Sequence, residues 1–213
     1  MKKILITLLA VTFSGLYFFA EASEKTINLQ IGPLWPHVLK ESSKPTAWNS
    51  SLQIGRIIDR KIAIGADINF LWNNYSDEEV IAGNISQVNS KQKTLCFPIT
   101  AFLSITPLPD LIVYPGISGQ IGLNTMYYSN SIDSIRTDDA MTNGFDENGW
   151  YMGLIGKIGA SAYFAFSNNS TIFAGMEYLW SNPKKVSRKR TDNLVARRKM
   201  SGFGLKFGIG FFL

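Results

Sequence analysis

From residue 24 onward, apolar residues alternate with small or polar ones at a period of two, in segment after segment. The clearest case is Ile62, Ile64, Ala66, Ile68, Phe70 and Trp72, set against Ala63, Gly65, Asp67 and Asn69. The same pattern runs from Ile27 to Ile31, through Leu52 and Ile54, and from Phe97 to Ile105. It returns from Val113 to Leu123, from Trp150 to Phe166, from Ile172 to Trp180 and from Phe203 to Phe211. Successive side chains of a strand point to opposite faces, so the alternation predicts strands with one apolar and one polar face. Eight such strands result. A soluble sandwich or a lipocalin-type barrel alternates in the same way, and three further features separate the cases.

The polar face is Gly, Ser, Asn, Gln and Thr, with few of the Lys and Glu that cover a solvated sheet. Side chains this small suit the narrow lumen of an eight-stranded closed barrel. The connections also alternate in length. Those near Asp59 and Arg60, at 107–110 and at 167–170 are short, whereas 35–47, 73–93, 129–148 and 182–198 are long. Short turns at one end and long loops at the other are the pattern of an outer-membrane barrel. Finally, Trp35, Trp48, Trp72, Trp150 and Trp180 all fall at the long-loop ends, with Tyr127, Tyr128 and Tyr178. Tyr114, Phe164, Phe166, Phe173, Phe211 and Phe212 fall at the other, giving two predicted interfacial girdles.

Composition closes off the competing classes. Charged residues make up 17%, below the roughly 25% of a soluble domain, and after the N-terminus no run approaches the roughly 20 apolar residues of a spanning helix. The lone Cys96 excludes an intramolecular disulfide framework and falls on the small-polar face as a packed side chain. Lys2 and Lys3, the uncharged stretch from Ile4 to Phe19, and Ala20-Glu21-Ala22 read as a secretory signal over 1–22. The mature chain is then a single domain, 23–213.

On these residues the chain resembles the small eight-stranded outer-membrane barrels of the OmpA transmembrane-domain and OmpX type. Its end, with Lys206, Gly208, Phe211 and Leu213, resembles the assembly signal of that class. The resemblance implies an all-β, eight-stranded, antiparallel up-and-down transmembrane barrel in a bacterial outer membrane. It also implies delivery by the outer-membrane assembly machinery through the C-terminal strand, and a monomer. The expected role is structural or surface-interacting and non-enzymatic. Two alternatives stand beside it, a small-solute pore and a lipid A-modifying enzyme. The second rests on His37, Ser76 and Asp77 in the outer loops, since acyl transfer needs a base, a nucleophile and an orienting acid. A Gly-rich, charged lumen is the wrong surface for an acyl chain, so these three read as ordinary loop residues.

Two charge groups are candidates for more than solvation. Asp67, Lys157, Glu177 and Lys206 fall on the lumen face, where buried ions must be paired, and two acids with two bases allow a neutral polar plug. The 182–199 stretch carries Lys184, Lys185, Arg188, Lys189, Arg190, Arg197, Arg198 and Lys199 against Asp192, a net of +7. Such a stretch suits anionic lipid, lipopolysaccharide above all, or other anionic partners at the cell surface; nucleic acid is not expected there. The 129–148 stretch, with a net of −4, is its possible intramolecular partner. Its acids do not follow an EF-hand spacing, and no metal or cofactor is expected.

Overall fold

The computed structural model describes residues 24–36, 47–58, 61–81, 86–107, 109–136, 145–186 and 199–213, apart from the side chains of 36, 75–90 and 132–147. The signal segment 1–22 and His37 lie outside the described residues. The strands are β1 (Lys25–Pro36), β2 (Ala47–Ile58), β3 (Ile62–Ile81), β4 (Ser86–Ile105), β5 (Val113–Arg136), β6 (Phe145–Ser167), β7 (Ser170–Ser181), the two-residue β8 (Lys184–Lys185) and β9 (Met200–Phe212). Each long strand pairs antiparallel with its neighbours in sequence, and β9 returns to β1 from Thr26↔Phe212 to Pro36↔Gly202. Lys25 and Leu213 exchange both backbone hydrogen bonds at 2.9 Å. Eight strands therefore close into a ring with no free edge at its centre, which is how a sheet satisfies its backbone inside hydrocarbon. Among the described residues no helix is long and apolar enough to cross a membrane.

The stretches 73–93 and 129–148, expected to be long loops, are largely strand. The β3–β4 ladder continues to Ile81↔Ser86, β4–β5 to Ser86↔Arg136, and β5–β6 to Ile132↔Phe145. Neighbouring β2 begins at Ala47, one residue beyond the Trp48↔Trp72 pair, and β7 ends at Ser181, opposite Ile155. Among the described residues four strands thus rise past the rest of the ring; the nine residues of β3 beyond Trp72 span roughly 30 Å of strand. Hydropathy missed them because both faces are polar there, so the period of two carries no contrast. The 182–198 loop likewise contains a strand, with Lys184 opposite Met152 and Lys185 opposite Tyr151.

The apolar face is outside. Ile68 is 53% exposed, Leu103 47%, Ile121 66% and Leu154 67%, as the wall of a barrel in lipid requires. Trp48, Trp72, Leu95, Tyr127 and Trp150 stand opposite one another in one register row across β2 to β6, forming the aromatic belt at the long-strand end. Trp180 lays its indole over Gly156 on the neighbouring strand, where a Cβ would collide with the ring.

Three of the expected girdle aromatics face inward instead. Tyr114 is 7% exposed, Phe173 6% and Tyr128 6%. Tyr114 stacks on Tyr163 at 5.3 Å, and Tyr163 meets Phe173 at the same separation. Phe102, also inward, lies 2.7 Å from where a Cβ on Gly55 would sit and 2.8 Å from one on Gly65. Glycine on one wall thus makes room for a ring from another, and aromatics fill the short-turn end of the lumen. At the long-strand end the lumen is filled by apolar side chains, among them Leu34, Leu71, Met126, Tyr151, Ile155 and Leu179. The Gly-rich, charged lumen thus also carries apolar side chains towards both ends, beside buried polar groups such as Thr26, Thr171 and Asn73, with the four charges between them.

Candidate functional site

The middle layer holds all four of the lumen charges. Asp67 is fully buried, and Lys157, Glu177 and Lys206 are at most 5% exposed. They are placed by parity: Asp67 on β3 opposite Gln53, Lys157 on β6 opposite Gln120 and Leu179, and Glu177 on β7 opposite Gly204. Lys206 follows on β9, within electrostatic reach of Glu177, Lys157 and Asp67. Their direct hydrogen bonds go largely to amides. Lys157 Nζ donates to Asn69 Oδ1 on β3, Asn49 Nδ2 donates to Glu177 Oε1 at 2.7 Å, and Gln53 Nε2 donates to Asp67 Oδ2 at 3.1 Å. Lys206 Nζ donates to Ser118 Oγ at 3.4 Å. Three of these bonds cross the interior, tying β6 to β3, β2 to β7 and β9 to β5. Sequence parity locates the charges; their amide partners, on strands 88 and 128 residues away along the chain, are set by ring closure alone.

The basic stretch is described only at its ends. Lys184 is exposed beside Met152, the Lys185 chain lies over Gly149, and Lys199 is exposed at the start of β9. Arg188, Lys189, Arg190, Arg197 and Arg198 lie outside the described residues. Of the candidate acyl-transfer residues, Ser76 and Asp77 are consecutive positions of β3, paired with Lys91 and Ser90, and His37 lies outside the described residues.

Sequence reading passed over two cations. Lys91 and Lys93 are exposed on β4, on the outward parity that runs through Leu95, Phe97 and Ile99. Carrying the alternation upward from Phe97 by one residue in two would have found them, had 73–93 not been read as a loop. Cys96 is buried in the lumen, 1% exposed, opposite Leu71 and Met126.

A closed antiparallel ring, apolar outside and filled inside, with long strands at one end and tight turns at the other, defines a small bacterial outer-membrane β-barrel. No family profile matches the sequence, and no curated protein does. Solved structures do match in fold. Ail, the attachment invasion locus protein of Yersinia pestis, is 15% identical, with 91% of this chain and 100% of that one covered and a TM-score of 0.50. The outer membrane protein OprG from Pseudomonas aeruginosa is 12% identical, with 91% and 97% covered and a TM-score of 0.50.

Proposed function

We propose that this barrel is a non-enzymatic surface protein whose role lies outside the hydrocarbon, in holding anionic lipopolysaccharide through the basic stretch 184–199 and the face beside it. The observation that carries this reading is that the lumen is filled in three layers while four strands rise beyond the aromatic belt. A lumen lined by buried side chains, with strand built beyond the belt, favours contact over transport. The cross-lumen bonds from Lys157 to Asn69 and from Asn49 to Glu177 work against a continuous water path, and so against the pore.

The test is to neutralise Arg188, Lys189, Arg190, Arg197 and Arg198 together as glutamines and measure lipopolysaccharide co-purifying with the folded barrel. A lower yield is expected, and an unchanged yield overturns the claim for that stretch. Steady conductance in planar bilayers would favour the pore instead. A mass shift in lipid A on expression would favour the enzyme.

A further inference from the structure

We infer that Lys91 and Lys93 on the outer wall of β4 form a second, strand-borne site for the phosphate of an outer-leaflet lipid; this rests on the reading of a barrel in contact with lipopolysaccharide. Both lysines are exposed and share the outward parity of Phe97, 43% exposed, and Ile99, 61% exposed. One column of side chains on one strand therefore passes from hydrocarbon-facing residues, through Leu95 in the aromatic row, to two cations at the next two outward positions. A ligand that follows this column must be apolar below and anionic just above. That is the description of a phosphorylated lipid, whereas a soluble anion would use only the upper half.

The positions directly opposite the two cations are neutral. The positions directly opposite Lys93 are Asn74 on β3 and Ser129 on β5; those opposite Lys91 are Ser76 and Ser131. None of these four is an acid; the first acids at alternate positions are Glu78 and Asp133, both paired with Asn89, one step beyond Lys91 and two beyond Lys93. Asn74, Ser129 and Ser131 supply neutral donors beside the cations. Both lysines are also held by pairing on two sides, so their Cα atoms keep a spacing of roughly 7 Å. A loop of equal charge must first be ordered before it can present such a pair. Tyr127 and Trp150, tilted at 5.2 Å from each other, cap the hydrocarbon beneath.

Interfacial cations are worth about 1 kcal/mol each near an anionic surface, so losing both predicts roughly 30-fold weaker binding. The experiment compares the parent, Lys91→Gln/Lys93→Gln, Lys91→Arg/Lys93→Arg, and the neutralised 188–198 variant, each verified as folded by its gel shift on heating. Binding is measured with detergent-solubilised diphosphorylated lipid A, with the same lipid stripped of its phosphates, and with inorganic phosphate as competitor. The inference expects the glutamine pair to lose affinity for the phosphorylated lipid only, the arginine pair to retain it, and inorganic phosphate to compete poorly. Parent-like binding by the glutamine pair overturns the strand site, while a loss in the 188–198 variant in the same series leaves the basic-stretch reading standing. Parent-like binding by both variants overturns both. Effective competition by inorganic phosphate overturns the assignment to a lipid.

Discussion

Replacing Lys157 by methionine tests whether the middle layer is held by charge balance. Methionine keeps the length and apolar volume of the stem while removing the ammonium, which is only 2% exposed. Two losses follow. The charged donor to Asn69 Oδ1 disappears, and a hydrogen bond to a charged group is worth about 1.5–3 kcal/mol. The lumen also changes from two acids and two bases to two acids and one base, leaving buried carboxylate charge uncompensated. Breaking a buried charge set by removing one member costs about 3–5 kcal/mol, and that is the expected destabilisation. Restoring neutrality should return much of it. Asp67→Asn alone is expected to destabilise, yet added to Lys157→Met it should stabilise, a coupling above about 1 kcal/mol in the double-mutant cycle. Urea unfolding in lipid vesicles, followed by tryptophan fluorescence, measures all four corners of the cycle. A single Lys157→Met within about 0.5 kcal/mol of the parent, or strictly additive singles, refutes charge balance as what holds this layer.

Three other outcomes are expected. Leu154→Arg, on the lipid face at 67% exposure, should cost about 2–4 kcal/mol in the same unfolding measurement; a neutral result would mean this position does not face hydrocarbon. Phe102→Ala empties the space above Gly55 and Gly65 and should cost about 3–5 kcal/mol, with the heat-dependent gel shift retained; a loss below about 1 kcal/mol would show that the ring fills no packed volume. Amides of 91–95 and 127–131 should exchange with solvent as slowly as paired strand, although they lie at or above the aromatic row; loop-like exchange there would contradict the four-stranded extension.

The sequence alone determined the eight crossings, their direction and which face meets lipid. Each of these depends on a strong contrast between neighbouring residues, such as Ile68 beside Asn69 or Leu123 beside Asn124, which hydrocarbon on one face enforces. It also placed Asp67, Lys157, Glu177 and Lys206 inside, because parity is a local property of a strand. Parity could not say what those charges touch, since Asn69 and Asn49 reach them only across the closed ring. Nor could it separate a girdle aromatic from a lumen one: Tyr128 and Phe173 are as hydrophobic as their lipid-facing neighbours, and only the glycines opposite, such as Gly208 beneath Phe173, make an inward ring fit. The height of β3 to β6 was hidden for a related reason. Beyond the membrane both faces meet water, the hydropathy contrast vanishes, and strand pairing alone decides that Lys91 and Lys93 stand on an ordered wall rather than in a loop.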